Sequence, residues 1–250
     1  MMIYRGNKPK KERNRRMEQL KNANAIETNY PEVWKHLDVR CKGFNESEKK
    51  PVYDFFKRAF DIVSSSAALI LLSWLFAIVA IAIKLDDGGP VIYSQTRVGK
   101  DGRFFKMYKF RSMSVGAERM KKKLLQQNEM DGPVFKMEND PRVTKVGAFL
   151  RRSSIDELPQ LINVLKGHMS IVGPRPPIGH EVMQYDEYAM QRLKVKPGLT
   201  CYWQCSGRSA LDFDEWMKLD NRYINERGFW RDIGIIFKTI PAVLRNEGAC

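Results

Sequence analysis

The chain has 250 residues, 43% of them hydrophobic, and its 43 Lys and Arg exceed its 29 Asp and Glu, which gives a net charge of +14. This length and composition exclude an intrinsically disordered protein and allow one substantial domain with an appendage. The positive charge indicates a polyanionic partner, which is a nucleic acid, an anionic membrane surface or a phosphorylated small molecule.

Residues 1–50 form a basic N-terminal arm. Its tract KPKKERNRR has no apolar periodicity, and a patch around Trp34 has the pattern of a short helix. The tract is interpreted first as a solvated arm and second as a contact with anionic lipid head groups.

From Ile62 to Ile83 no residue is charged. This run of 22 residues compares with roughly 20 needed to cross a bilayer as a helix. Both flanking regions are basic, and the positive-inside rule places each of them in the cytoplasm. The sequence therefore favours a re-entrant, monotopic insertion over a single span. The bend is expected at Ser73, where serine hydroxyls would bond the freed backbone groups.

A turn at 86–90 ends the uncharged segment, and the apolar period then changes to that of strands. Residues 91–95 and 103–110 predict a β-hairpin around a glycine-containing loop. Residues 115–128 have helical composition with a basic face. A short helix is predicted from Lys145 to Arg152.

Residues 151–176, RRSSIDELPQLINVLKGHMSIVGPRP, concentrate charge around a short helix that is predicted to begin near Asp156. Ser153 and Ser154 precede Asp156 and Glu157 at capping-box spacing, so taken alone the pattern favours helix capping. A helix start with Arg151 beside two carboxylates also suits a phosphate and a divalent cation.

Towards the C-terminus, residues 180–194 are predicted to be helical, 196–200 to form a turn and 202–208 to be extended. Helices are predicted at 213–223 and 230–244, and the apolar stripe of the second fits either the core or the membrane interface. The four cysteines form no CxxC pair, which argues against zinc and favours thiols over a disulfide at Cys201 and Cys205.

From about Asp54 to Ala249 the chain resembles the bacterial sugar transferases, the monotopic phosphoglycosyl transferases that start polyprenyl-linked glycan assembly. After the uncharged segment, three blocks carry the resemblance in the family's order, at 84–113, 139–177 and 194–208. They include KMYKFRSM, RRSSIDELPQLINVLKG, VGPRPP and KVKPGLTCYWQCSGR. The family's helix-breaking Ser-Pro pair is replaced here by Ser73-Trp74. No other hydrophobic span precedes Ile62, which favours the short form of the family.

The resemblance implies transfer of a sugar 1-phosphate from a UDP-sugar to undecaprenyl phosphate, with release of UMP. It implies that Asp156 is the nucleophile of a covalent phosphosugar intermediate. Glu157, together with Asp156, is implied to bind Mg²⁺, which would offset the charge of the diphosphate.

Further residues are assigned by their position in the family's motifs. Arg151 is suited to phosphate contact, and Pro174, Arg175 and Pro176 are associated with the nucleotide side of the site. Weaker candidates for phosphate or uridine contacts, with a surface ion pair as the alternative, are Lys109, Arg111 and Arg208.

The predicted fold is α+β and mainly helical, with a re-entrant hydrophobic helix, interfacial amphipathic helices and a small β-hairpin. Its predicted regions are the basic arm (1–50), an interfacial and re-entrant membrane helix (51–84) and a catalytic domain (85–250) on the cytoplasmic face of the bacterial inner membrane.

The expected partners are a UDP-sugar, undecaprenyl phosphate and anionic lipid, and a homodimer is one open arrangement. Nucleic acid is not expected, because the charge is spread on both sides of the membrane segment. The sugar stays open, with galactose or glucose favoured. The alternative is a non-catalytic, membrane-anchored basic scaffold of a glycan-assembly complex, in which Asp156 and Glu157 are only caps.

Overall fold

The computed structural model describes residues 50–124, 137, 139–205 and 211–244. The predicted α+β, mainly helical fold is confirmed, and the predicted N-terminal arm lies outside the described residues except for Lys50. Within these ranges three 3₁₀ turns, Lys100–Gly102, Ile155–Glu157 and Gln191–Lys194, join the regular elements. In chain order these elements are α1 Pro51–Leu71, α2 Ser73–Asp87, β1 Ile92–Val98, β2 Phe104–Phe110, α3 Ala117–Leu124, α4 Lys145–Arg152, α5 Gln160–Leu165, β3 Ser170–Val172, α6 Gly179–Met183, α7 Glu187–Met190, β4 Gly198–Thr200, α8 Tyr202–Cys205, α9 Phe213–Glu226 and α10 Phe229–Leu244.

The uncharged segment forms a bent pair of helices, as predicted. α1 and α2 meet at Leu72 with a bend of 60°. Among the described helices none is by itself long and apolar enough to cross a bilayer, whereas this pair together passes by length and composition. Serine hydroxyls were predicted to bond backbone groups freed at the bend, but Ser64 does not do so. It lies two turns before the break, and its hydroxyl donates to Phe60 O at 2.6 Å.

Polar side chains of α1 attach it to the rest of the fold. Arg58 donates to the carbonyl oxygens of Val164 and Leu165, at 2.6 and 2.7 Å, and so satisfies groups that the end of α5 leaves open. The buried Asp61 carboxylate accepts from the amide of Ile171 at 2.9 Å and also from Ser170. The helix pair is therefore fixed to α5 and β3.

The predicted hairpin is confirmed. β1 and β2 pair in antiparallel register from Ile92 opposite Phe110 to Val98 opposite Phe104. In β2, Phe105 and Met107 are buried on one face, the alternation expected of a strand with one face on a core. Phe110 is buried on the opposite face, in a second cluster with residues of α2 and α4.

The second sheet was not predicted. β3 and β4 pair in parallel, with Ser170 opposite Gly198 and Val172 opposite Thr200, where the sequence predicted a turn. A Cβ at Gly198 would overlap the backbone of Gly173, so glycine permits this close approach of the two backbone segments.

Two further predictions were wrong in the C-terminal half. Residues 180–194 are not one helix but α6, α7 and a 3₁₀ turn, and residues 202–205 are the helix α8 rather than an extended segment. Helices at the positions of α9 and α10 were predicted. The stripe of α10 belongs in part to the core, since Ile235 is buried, while Trp230 is 81% exposed and Phe237 68%; the membrane-interface alternative stays a prediction. Cys201 and Cys205 are free thiols, as expected.

Candidate active site

The two adjacent acidic residues lie on the 3₁₀ turn Ile155–Glu157 and not at the start of a longer helix, because α5 begins only at Gln160. The capping prediction is also wrong. Ser154 adopts a left-handed conformation with φ of 55° and makes no side-chain cap bond. The Ser153 hydroxyl donates back to Phe149 O at 2.9 Å.

The turn brings both carboxylates to one cation, which a regular helix would not do for neighbouring residues. Lys109 Nζ, from β2, lies 2.6 Å from Glu157 Oε1 and 3.9 Å from Asp156 Oδ2. Asp156 is buried at 7% exposure, whereas the Glu157 side chain is 42% exposed. One acidic group is thus withdrawn from water and the other faces it.

The buried position changes the acidity of Asp156. Its pKa is raised to about 6, chiefly because burial penalises the charged form and secondarily because Glu157 is close. Lys109 and Arg151 act in the opposite direction and keep the pKa from rising further. Asp156 is therefore a carboxylate at neutral pH that is poorly solvated, which is a state suited to nucleophilic attack.

Asn163 positions β2 against α5 and was missed by the sequence analysis. Its side chain accepts from the amide of Tyr108 at 3.0 Å and donates to Lys106 O at 2.7 Å. The signal available in the sequence was a polar amide within the apolar run QLINVL, and the structure buries it completely. This pair of bonds fixes the strand that carries Lys109.

The other predicted residues are distributed around the carboxylates. Arg151, at the end of α4, interacts electrostatically with Asp156. Arg111 pairs with Asp87 at the end of α2. Arg208 lies outside the described residues.

Pro174, Arg175 and Pro176 lie in the loop 173–178, which leads from β3 to α6. Arg175 is electrostatically coupled to the buried Arg97 of β1, and Arg97 is in turn coupled to Glu157. The loop and the carboxylate turn therefore belong to one electrostatic neighbourhood. Arg97 was not singled out from the sequence.

The donor set fits a magnesium ion only in combination with a substrate. Within the described ranges no three His, Cys, Asp or Glu residues cluster in a way that could hold a metal. Mg²⁺, however, is commonly bound through one or two carboxylates, with water and substrate phosphates completing the octahedron. Asp156 and Glu157 supply that number of hard oxygen ligands.

A basic cavity of about 740 Å³ lies apart from the carboxylates, and no residue of the site contributes to it. It is bounded by α9, the 3₁₀ turn Gln191–Lys194 and the start of α1. Its lining residues are Lys50, Tyr188, Gln191, Lys194, Lys218, Asn221, Arg222, Ile224, Asn225 and Arg227.

The family model described as bacterial sugar transferase matches residues 52–246. A galactosyl transferase of Streptococcus agalactiae serotype III is 52% identical over 194 residues, which cover 77% of this chain and 43% of that protein. An undecaprenyl-phosphate galactose phosphotransferase of Salmonella typhimurium is 46% identical over 202 residues, covering 78% and 42%.

An exopolysaccharide production protein of Rhizobium meliloti is 41% identical over 204 residues, which cover 80% of this chain and 90% of that protein. The chain thus spans less than half the length of the first two relatives and matches nearly all of the third.

Proposed function

This chain belongs to the bacterial sugar transferase family, and from that membership we propose that it transfers a sugar 1-phosphate from a UDP-sugar to undecaprenyl phosphate. The product would begin a cell-surface glycan such as an exopolysaccharide or capsule. The observation that carries the proposal is the convergence of a buried and an exposed carboxylate on Lys109. Galactose is the preferred sugar, because two of the relatives are named for it, and glucose is the next.

In the first half-reaction, a carboxylate oxygen of Asp156 attacks the phosphorus that bears the sugar. A P–O bond forms to Asp156, and the bond from that phosphorus to the bridging oxygen breaks, so UMP leaves with the bonding electrons. Asp156 is ionised at pH 7 because its pKa, about 6, is still below neutral, and its burial leaves the carboxylate weakly solvated. Both conditions favour attack.

In the second half-reaction, a phosphate oxygen of undecaprenyl phosphate attacks the same phosphorus. The acyl phosphate bond to Asp156 breaks and the carboxylate is regenerated, which leaves the sugar on an undecaprenyl diphosphate. Dividing the transfer in this way means that two bulky substrates need not be aligned with each other in one step.

Charge neutralisation is the other requirement, because an anionic nucleophile must approach an anionic diphosphate. Lys109 and Arg151 lower the electrostatic cost of a charge on Asp156. Mg²⁺, held by Asp156 and Glu157, would supply further neutralisation of the diphosphate. Glu157 would exchange its contact with Lys109 for the metal, which frees the ammonium for phosphate.

The bent pair α1–α2 would insert into the cytoplasmic leaflet as a re-entrant element. Its support is a set of apolar side chains exposed on the outside of both helices, while the polar Arg58 and Asp61 bind the catalytic part. α10 would lie in the interface next to anionic lipid. The exposed apolar side chains include Phe55, Val63, Ile70, Trp74, Ile78, Trp230 and Phe237.

The test uses the full chain in lipid nanodiscs with Mg²⁺, undecaprenyl phosphate and UDP-galactose labelled in the phosphate next to the sugar. We expect UMP release and, without acceptor, label on the protein. Asp156→Asn should lower turnover by roughly a thousandfold or more and abolish the label. Asp101→Asn is the matched control, because Asp101 is an exposed aspartate in the hairpin turn, and it should retain both signals.

Parallel reactions with UDP-glucose and UDP-N-acetylhexosamines identify the sugar. Full turnover in Asp156→Asn would contradict the covalent mechanism. A folded, lipid-bound chain that releases UMP from none of these donors would instead support the scaffold alternative.

A further inference from the structure

The loop 173–178 is held by a hydrogen bond at each of its six residues. Four of these bonds come from the backbone or from a local cap, and two come from arginine side chains of distant elements. In order, the bonds join Gly173 N to Thr200 O, Gly198 N to Pro174 O, Arg192 Nη2 to Arg175 O, Arg97 Nη1 to Pro176 O, Val98 N to Pro177 O and Ile178 N to Glu181 Oε2, all between 2.8 and 3.1 Å.

The two arginines are both buried, at 7% exposure for Arg97 and 2% for Arg192, and their charges are balanced differently. Arg192 lies 2.7 Å from the Asp220 carboxylate and also donates to Tyr185. Arg97 donates its other η nitrogen to the neutral Gln95 amide, at 2.7 Å. Among the described residues, the hydrogen-bond acceptors of Arg97 are therefore neutral, a carbonyl and an amide. Burying a guanidinium against neutral acceptors is costly, so a purely structural use would be better served by a neutral side chain.

The surroundings of Arg97 favour an anion. Its Nε–H is buried without an acceptor among the described residues. Burial lowers its pKa to about 10, and the next cause is the like charge of Arg175, while Glu181 and Glu157 act in the opposite direction. Arg97 and Arg175 repel each other, and a diphosphate between them and the carboxylate turn would stabilise both charges.

We propose that Arg97 is a positioning residue for the donor nucleotide: it fixes the carbonyl of Pro176, so that the rigid loop presents Arg175 to the diphosphate of the UDP-sugar. This role rests on the proposed function. Preorganisation of this kind lowers the cost of ordering the loop when the donor binds and leaves the chemical step unchanged.

Arg97→Met and Arg97→Lys test the proposal, with Arg103→Met as the matched control because Arg103 is exposed in the same hairpin. Arg97→Met should raise the KM for the UDP-sugar on the order of tenfold, the size expected for charge-assisted bonds. The kcat and the KM for undecaprenyl phosphate should change by no more than about twofold. Arg97→Lys keeps the charge but not the planar fork, so its KM for the UDP-sugar should lie between those of wild type and Arg97→Met.

Hydrogen–deuterium exchange supplies a readout that does not depend on turnover. Exchange should rise in the peptide that contains residues 173–178 in Arg97→Met and stay unchanged there in Arg103→Met. Faster exchange across the whole chain, or equal changes in both KM values and kcat, would reduce Arg97 to a structural residue and overturn the proposal.

The two hypotheses fail in different ways. No turnover by the unaltered chain with any UDP-sugar would overturn the proposed function itself. Normal turnover of the unaltered chain, together with an unchanged donor KM in both Arg97 variants, would overturn only the role of Arg97.

Discussion

The carboxylate turn Ile155–Glu157 and the loop 173–178 both interact electrostatically with Arg97 but are stabilised by different interactions. In the turn, backbone bonds are local, from Glu157 N to Ser154 O and from Leu158 N to Ile155 O. In the loop, all six residues bond to other elements or to a cap. The turn buries a carboxylate whose charged form is disfavoured, whereas the loop buries arginines that bind its carbonyl oxygens.

This contrast separates two costs that the proposed reaction imposes. A carboxylate nucleophile is more reactive when its charge is poorly solvated before the reaction, so its surroundings should not supply a full set of hydrogen bonds. A binding loop has the opposite requirement, because every motion that it retains must be lost when the donor binds. Loss of a side chain that holds the loop, such as Arg192, should therefore destabilise the protein. Neutralisation of Asp156 should stabilise it.

The largest effect is expected from Arg192→Met in the support of the loop. It leaves the Asp220 carboxylate, 1% exposed, without its partner, and such a loss costs about 3–5 kcal/mol in unfolding free energy. Burial already raises the pKa of Asp220 to about 6 against the opposing effect of Arg192. Without Arg192 that carboxyl protonates more readily, so the destabilisation should be larger at pH 8 than at pH 5.

Thermal unfolding in nanodiscs at several pH values measures this difference. The matched variant is Arg222→Met, because Arg222 is an exposed arginine paired with Glu226 on α9 and should change the melting temperature little. Equal melting temperatures for the Arg192 and Arg222 variants would remove the distinction between the two regions.

The opposite sign is expected for Asp156→Asn in the turn. The folded pKa of Asp156 is about 6 and the unfolded value is about 3.9, so the folded state binds the proton more tightly. Wild-type stability therefore falls as pH rises between about 4 and 6. The neutral variant escapes this loss and should be more stable at pH 7 by roughly 1–3 kcal/mol.

The stabilities of Asp156→Asn and wild type should accordingly coincide near pH 4, diverge between about pH 4 and 6 and differ by a constant amount above pH 6. A lower melting temperature for the variant at pH 7 would agree with a capping role and contradict the structure of the turn.

A moderate effect on rate is expected for Lys109→Met. Because the ammonium lowers the pKa of Asp156, its removal should move the acid limb of kcat/KM from near pH 6 upwards by about one unit. Turnover at pH 7 should fall about twofold from this shift alone, and roughly tenfold in all once the ammonium is also lost as a contact for the phosphate. Lys106→Met is the matched control, since Lys106 is exposed on the opposite face of β2. An unshifted acid limb would show that Lys109 does not act on the nucleophile.

The elements that the sequence predicted correctly are those with local signals. The hairpin follows from alternation in β2, and α4 from a helical pattern that ends in Arg151 and Arg152. The sheet β3–β4 has three residues in each strand, and its pairing depends on contact between Gly173 and Gly198. Proline and glycine at 197–198 indicated only a turn, because a contact between distant glycines leaves no local pattern.

The candidate site was predictable in its charges but not in its geometry. The adjacent Asp156 and Glu157 were found from their motif, yet Lys109 was ranked as a weak candidate although it lies against both. Arg97 and Arg192 were missed because a lone arginine in a sequence indicates surface. Only the fold shows that both are buried and bonded to neighbouring carbonyls.

The smallest effects are expected at the two serines before the turn. If Ser153 were a helix cap, Ser153→Ala would cost about 1 kcal/mol of unfolding free energy. Its hydroxyl instead bonds carbonyl oxygens of the preceding helix, an arrangement that contributes little to helix stability, so we expect less than about 0.5 kcal/mol.

Ser154 has φ of 55°, which glycine adopts without strain, whereas a β-branched residue does not. Ser154→Gly should therefore melt within a degree or two of wild type, and Ser154→Val should melt clearly lower and slow the transfer, since it would displace Asp156. Equal melting temperatures for these two variants would mean that the left-handed residue does not set the geometry of the turn.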